Sequence, residues 1–167
     1  MKWLRSTLFI DNKDEFKFEE SVNVNIANFN ASVEGVENVI VGGTLTRNGQ
    51  DKILVDLIIK GNYKVVSSRS LNIISVPFEI RETEDFIDKS ILNGDDYNTF
   101  AMDAYIDISN LVNELVLLNA PLNYYLEEEE VVNKKGKDWQ LLTEDEILSK
   151  ERKDSPFSAL GDMFKEK

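Results

Sequence analysis

A turn between two apolar segments in the middle of the chain has the spacing of a metal-binding knuckle but lacks its usual ligands. The segment KVVSSRSLNIISVPFE (64–79) contains Ser67 and Ser70, separated by two residues, with Arg69 between them. Two cysteines at this spacing would direct two sulfurs at one zinc ion. Serine hydroxyls are poor zinc ligands compared with thiolates and bond instead to nearby backbone groups. The residues alone therefore predict a polar turn that binds no metal.

Two further clusters contain residue types that could bind a ligand. Gly94-Asp95-Asp96 could offer paired carboxylates to a hard cation, but the same residues are ordinary turn formers, and we favour a loop. The segment NKKGKDW (133–139) follows the acidic run Glu127–Glu130, and a solvated linker is its simpler interpretation. It also contains four residues that could contact phosphate and stack on a base, namely Lys134, Lys135, Lys137 and Trp139.

The charge of the chain is unevenly distributed. The 167 residues have a formal net charge of −12, which opposes contact with a polyanion at long range. Between Arg47 and Arg81, however, six basic residues stand against three acidic ones. A solvated strand face with ordinary lysines is one explanation, and a local contact with RNA or a protein partner is the other. The candidate contact residues in this stretch are Lys60, Lys64, Arg69 and Arg81.

The absence of cysteine and histidine excludes most familiar enzyme designs. The sequence has no disulfide, no thiolate nucleophile, no imidazole base and no cysteine or histidine that could bind zinc. We therefore expect a non-enzymatic protein without a cofactor. No apolar run approaches the roughly 20 residues that cross a bilayer, and Arg5 and Asp11 interrupt the apolar start. A cytoplasmic protein with no membrane contact is the expectation.

The elements that would position the candidate residues are strands. The alternation in KILVDLIIK sets four apolar residues on one face: Ile53, Val55, Leu57 and Ile59. Asn48-Gly49 is a strong hairpin signal, and Pro77, which cannot donate a ladder hydrogen bond, predicts an edge strand or a bulge. Because short turns link these segments, residues 1–81 should form a mainly antiparallel sheet, and closure into a barrel-like sheet is one possible arrangement.

The second half of the chain predicts a few helices. The segment 82–103 is acidic and weakly patterned, which is typical of a surface excursion. The spacing of apolar residues predicts a helix over 109–119, capped by Ser109, with the apolar face Ile108, Leu111, Val112, Leu115 and Leu118. Capping patterns predict two more helices, over 144–152 and 156–165. We expect an α+β core domain over 1–126, followed by 127–167 as an acidic linker with C-terminal helices that dock on the core.

An ordered set of segments resembles the YceD family, the large ribosomal RNA subunit accumulation proteins of bacteria and plastids. The matching segments are GTLTRNGQDKILVDLIIKGNYKVVSSRSL, VPFE, IDISNLVNELVLLNAPL and DSPFSALGDMF. The turn in many family members reads Cys-x-Arg-Cys-Leu, and this chain retains Arg69 and Leu71 but has Ser67 and Ser70 at the cysteine positions. A second cysteine cluster of the family is absent, and LNYYLEEEEVVNKKGKDW stands in its place.

The resemblance implies a factor that supports accumulation of 23S rRNA and assembly of the large ribosomal subunit. Its implied partners are 23S rRNA or its precursor, basic large-subunit ribosomal proteins, or both. Because the cysteines are missing, a zinc site is not carried over from the family. The turn should instead be held by hydrogen bonds between serine hydroxyls and the backbone, and by packing. Ser155-Pro156-Phe157 replaces the Asp-Pro-Arg of the family, so no arginine contact carries over there. The alternative is an acidic interaction module or chaperone for a basic ribosomal protein, without direct RNA contact.

Overall fold

The computed structural model describes residues 1–9, 13–25, 32–92, 99–132, 134–142 and 146–147. Its elements in chain order are β1 (Lys2–Leu4), α1 (Arg5–Leu8), β2 (Glu15–Val22), β3 (Val33–Asn48), β4 (Lys52–Val66), β5 (Ile73–Asp88), β6 (Thr99–Met102), β7 (Tyr105–Asp107) and α2 (Ser109–Leu118). Strands β2 to β6 form one sheet in that order, and β1 pairs with β7 in a second. All pairings are antiparallel except β5–β6, which is parallel.

The centre of the large sheet is the long hairpin of β3 and β4. It turns at Gly49, whose φ of 79° lies in the left-handed region that favours glycine. The predicted alternation in β4 is confirmed, because the four residues assigned to one face are all buried: Ile53, Val55, Leu57 and Ile59. A register shift between Glu37 and Ile40 places a bulge in β3, where Asn38 has a φ of 55°. The bulge lies opposite Gly61 in β4, which itself runs without interruption.

Helix α2 confirms the first predicted helix and covers the apolar face of the sheet. Its buried residues are Leu111, Val112, Leu115 and Val116. The prediction that Leu118 belongs to this face is wrong, since its side chain is 72% exposed. Ser109 does not cap the helix either, because its hydroxyl accepts a hydrogen bond from the N-terminal ammonium of Met1. Asp107 takes over the role, accepting the N–H of Ser109 at 3.0 Å.

Two further expectations need correction. The large sheet is open rather than barrel-like, since the described parts of β2 and β6 pair with no strand on their outer sides. Helix α2 and the β1–β7 pair supply the apolar cover that closure would otherwise provide. The segment 82–103 is not simply a surface excursion, because β5 continues to Asp88 and β6 follows at Thr99. Burial of Phe86 and Ile87 accounts for this extension of the sheet.

The chain divides into two units, Met1–Leu126 and Glu127–Lys167. The predicted helix over 156–165 lies outside the described residues, as does most of the one over 144–152, in which the described Glu146 and Ile147 are helical. No helix in the described part of the chain has the length and apolar character needed to cross a membrane.

Candidate functional site

The serine turn is closed by its own hydroxyls, as the sequence predicted. Ser67 is fully buried, and its Oγ accepts the N–H groups of Arg69 at 3.2 Å and Ser70 at 3.4 Å. Ser70 Oγ accepts the N–H of Asn72 at 3.3 Å. Backbone bonds complete the turn, from the Ser67 N–H to the Asn72 carbonyl at 2.8 Å and from the Leu71 N–H to the Ser67 carbonyl at 3.0 Å. The serine hydroxyls thus accept the backbone N–H groups that, in a metal-binding turn, would bond to cysteine sulfurs.

Leu71 adopts a backbone conformation that its side chain disfavours. Its φ is 59°, in the left-handed region, which costs a branched residue about 1 to 2 kcal/mol. Burial does not compensate for this cost, because the Leu71 side chain is 56% exposed, and Ile73 beside it is 54% exposed. Strain of this kind, held at an exposed apolar residue, is typical of surfaces that contact a partner.

Arg69 is positioned by the segment that follows α2. Its guanidinium carbon lies 3.8 Å from the centroid of the Tyr125 ring, a cation–π contact. The segment is held against the turn by the Ser68 N–H, which bonds to the Tyr124 carbonyl at 3.0 Å. Ser32 Oγ donates to the Leu122 carbonyl at 2.7 Å beside it. The structure therefore combines Arg69, Leu71 and Tyr125 into one surface, which we term the turn surface.

The other basic candidates of the first unit are paired with glutamates. On the outer face of the sheet, Glu79 accepts from Lys60 at 3.2 Å and from Arg81 at 2.6 Å. These bonds, that from Arg81 first, lower the pKa of Glu79. Lys64 pairs with Glu37 at 2.7 Å, and that hydrogen bond raises the pKa of Lys64. The sheet brings Lys60 and Arg81 together around one glutamate, whose single negative charge offsets only part of their two positive charges.

The second unit brings its four candidates together in a tight hairpin. Lys135 bridges to Gln140 across the turn, and the Gly136 N–H bonds to the Trp139 carbonyl at 2.8 Å. The indole packs on Gly136 so closely that a Cβ there would lie 2.1 Å from Nε1 of Trp139. The lysines Lys134, Lys135 and Lys137 are exposed, and Trp139 is 55% exposed. A ring presented beside three cations is a suitable platform for a nucleic acid base.

The sequence analysis missed a cationic cleft at the β3–β4 hairpin. A cleft of about 310 Å³ is lined by three basic residues, Arg5, Arg47 and Lys52. Arg5 bonds to Asp88 at 2.5 Å, whereas no carboxylate among the described residues lies within ion-pair distance of Arg47 or Lys52. The missed signal was the position of Arg47 and Lys52 close to Asn48-Gly49, which places both at the same end of the β3–β4 hairpin.

An acidic surface lies where the outer edge of β5 approaches α2. Burial raises the pKa of Glu84, and the neighbouring charges of Glu82, Asp85 and Glu114 raise it further. Burial first, and then these like charges, disfavour the charged form of Glu84. In the described part of the chain no three acidic side chains are arranged to hold a metal ion.

Comparison with known proteins gives one full-length relative. The chain is 30% identical over 172 residues to the uncharacterized protein YlbN of Bacillus subtilis (strain 168). The match covers 99% of this chain and 98% of that protein. No protein-family model matches the chain, and no solved structure matches it.

Proposed function

This chain belongs to the family of the YlbN protein, and we propose that it is a non-enzymatic factor that supports accumulation of 23S rRNA and assembly of the large ribosomal subunit. The proposal follows the resemblance to the YceD proteins described above. Its partner would be 23S rRNA or its precursor, basic large-subunit ribosomal proteins, or both. Assembly would place the protein in the cytoplasm.

The observation that carries the proposal is the turn surface. Arg69 and Leu71 are the residues that this chain shares with the Cys-x-Arg-Cys-Leu turn of the YceD proteins, and both are displayed at the surface. The turn keeps its form through the Ser67 hydroxyl, so presentation of these side chains needs no metal. The strain at Leu71 supports a binding role, because the fold gains no burial in return.

Direct contact with RNA is supported by separate groups of cations. Phosphates bind Lys and Arg, and the described part of the chain pairs no carboxylate with Arg47 or Lys52. The guanidinium of Arg69 on Tyr125 and the hairpin with Trp139 could each hold an unpaired base. The formal charge of −12 is no obstacle at short range, because ions screen charges over about 8 Å at cellular ionic strength.

One observation favours the second candidate function, an acidic module or chaperone for a basic ribosomal protein without RNA contact. No ion pair among the described residues involves Glu82, Glu84 or Asp85, and a basic partner would reduce the repulsion between Glu84 and its acidic neighbours. Lys60, Lys64 and Arg81 would then serve to order the outer face of the sheet rather than to bind phosphate, because each already pairs with a glutamate.

The function is tested by depletion of the protein and sedimentation of ribosomal subunits. We expect a loss of 23S rRNA and of large subunits, with small subunits retained. Complementation with Arg69→Glu and Leu71→Gly variants should fail, while the exposed Ile91→Ser variant, away from the turn surface, should restore growth. Normal levels of 23S rRNA after depletion would refute the proposal.

Paired charge reversals separate the two modes of action. If RNA is bound directly, Arg47→Glu with Lys52→Glu should lower affinity for 23S rRNA fragments and reduce the slope of log K against log salt by about 1.4 to 1.8. If a basic protein is bound instead, Glu82→Lys with Glu84→Lys should abolish that complex, whereas Arg47→Glu with Lys52→Glu should leave it intact. Measurement of both variants against both partners assigns the mode.

A further inference from the structure

The structure leaves a long strand edge unpaired. Strand β6 pairs with β5 only over Asp85–Asp88, so the segment Ile73–Glu84 has β4 on one side and no described strand on the other. This segment is longer than β2, the strand at the opposite edge of the sheet. An exposed edge of this length is a template for an additional strand.

The hydrogen bonds at the end of β5 show which backbone groups along this edge point away from β4. The N–H of Asp88 bonds to the loop before β4, and the N–H of Lys89 bonds to β6. The register between β4 and β5 is continuous, so the odd-numbered residues from Ser75 to Thr83 direct their N–H and C=O groups outward. Pro77 belongs to this set, where its missing N–H costs the existing sheet nothing.

The two charged residues on the outer face of this edge are already ordered. Arg81 donates to Oε1 of Glu79 through Nη2 at 2.6 Å and through Nε at 2.8 Å. Lys60, from β4, holds the other carboxylate oxygen of Glu79 at 3.2 Å. Fixed side chains lose less conformational entropy when a partner docks beside them.

We propose that the β5 edges of two copies of this chain pair in antiparallel fashion about a twofold axis at Ile80, which joins their sheets. In this register Glu79 lies opposite the partner's Arg81, and Arg81 lies opposite the partner's Glu79. Shifting the register by one step in either direction places Glu79 opposite the partner's Glu79, or Arg81 opposite the partner's Arg81. The charges of two copies are therefore complementary in one register alone. In that register about six backbone hydrogen bonds would join the two β5 strands.

The opposite edge of the sheet is the competing site. Strand β2 also has a cation and an acid two residues apart, Lys17 and Glu19, but the described structure shows no ion pair between them. Its free edge is shorter and its charged side chains are not held in place. These two residues therefore provide matched control variants with the same changes in charge.

The test is a charge swap between two variants of the full chain. Arg81→Glu gives a strand with two acids, and Glu79→Arg gives a strand with two bases, so each variant should repel itself. We expect the wild type to sediment as a dimer in about 0.3 M salt, which screens the net charge. Each variant alone should dimerise at least tenfold more weakly, and an equimolar mixture should form the heterodimer, as detected by native mass spectrometry. Lys17→Glu and Glu19→Arg should leave the dimer intact.

Hydrogen exchange of the wild type gives a second measurement that does not depend on the variants. The outward N–H groups of Glu79, Arg81 and Thr83 should exchange slowly at high protein concentration and fast on dilution. The N–H groups of Phe78 and Ile80, which face β4, should stay protected at both concentrations. A monomer at all concentrations, a dimer abolished by Lys17→Glu, a mixture of variants that stays monomeric, or protection of the edge only by an added basic peptide would each overturn the proposal.

Discussion

Replacement of Ser67 by alanine should measure how much the hydroxyl contributes to a turn that lacks metal. The side chain is fully buried and accepts two backbone N–H groups, at 3.2 and 3.4 Å. These distances are at the long end of the range, so each bond should contribute about 0.5 to 1 kcal/mol net. In Ser67→Ala, two N–H groups lose their acceptor beside a buried site. The expected loss in the free energy of unfolding is therefore about 1 to 2 kcal/mol.

The measurement is urea unfolding followed by the fluorescence of Trp3, whose ring lies 4.7 Å from that of Phe18 in the core, together with circular dichroism. For a chain of this size the loss corresponds to a fall in Tm of roughly 2 to 8 °C. The slope of free energy against urea should not change, because the same surface is exposed on unfolding.

Ser70→Ala is the matched control. Its hydroxyl accepts the N–H of Asn72 at 3.3 Å, and its side chain is only half-buried, so water can replace the lost oxygen. The free energy of unfolding should fall by less than about 0.5 kcal/mol. A Ser67→Ala protein as stable as the wild type, or a Ser70→Ala protein that loses as much, would refute the idea that the buried hydroxyl closes the turn.

Four other outcomes are expected. Replacing both Ser67 and Ser70 with cysteine should give no tight zinc site by elemental analysis, because two further ligands are missing. Leu71→Gly should raise the free energy of unfolding by about 0.5 to 1 kcal/mol while weakening retention of the ribosomal partner, as measured by unfolding and by pull-down. Burial raises the pKa of Tyr63 to about 12, so the contribution of its neutral hydroxyl to stability is complete below pH 10. About 2 to 3 kcal/mol of the free energy of unfolding should be lost between pH 10 and 12. Tyr63→Phe should flatten this alkaline decline, as measured by urea midpoints. The hydrogen bond from Arg5 lowers the pKa of Asp88. The Asp88 carboxylate should therefore contribute to the free energy of unfolding above about pH 4, and this contribution should be lost as the pH falls. Asp88→Asn should remove this part of the acid sensitivity, as measured by urea midpoints.

Local patterns in the sequence predicted the parts of the fold that depend on one element. The period-two pattern of β4 and the helical spacing around Leu111 each place one apolar face, and both faces are buried. Proline chemistry predicted the edge at Pro77 in the same way. The turn was predictable because Ser67 reaches its hydrogen-bond donors within three residues of itself.

What the sequence did not predict depends on contacts between distant segments. The pairing of Lys60 and Arg81 with one glutamate requires the register of β4 against β5, which places both beside Glu79. The cationic cleft combines Arg5, near the start of the chain, with the β3–β4 hairpin. Leu118 was assigned to the buried face because helical spacing alone does not show where the covered surface ends.

The distribution of ion pairs changes how the basic stretch should be interpreted. Counting charges between Arg47 and Arg81 suggests one basic surface, but two glutamates on the sheet offset most of the charge of its middle part. Further cations lie at the two ends of β4, in the cleft at the β3–β4 hairpin and in the turn that follows Val66. A polyanion that bound both ends would have to follow the length of the strand, whereas a compact acidic ligand would contact only one. An extended RNA therefore fits the arrangement of cations better than a small phosphate compound does.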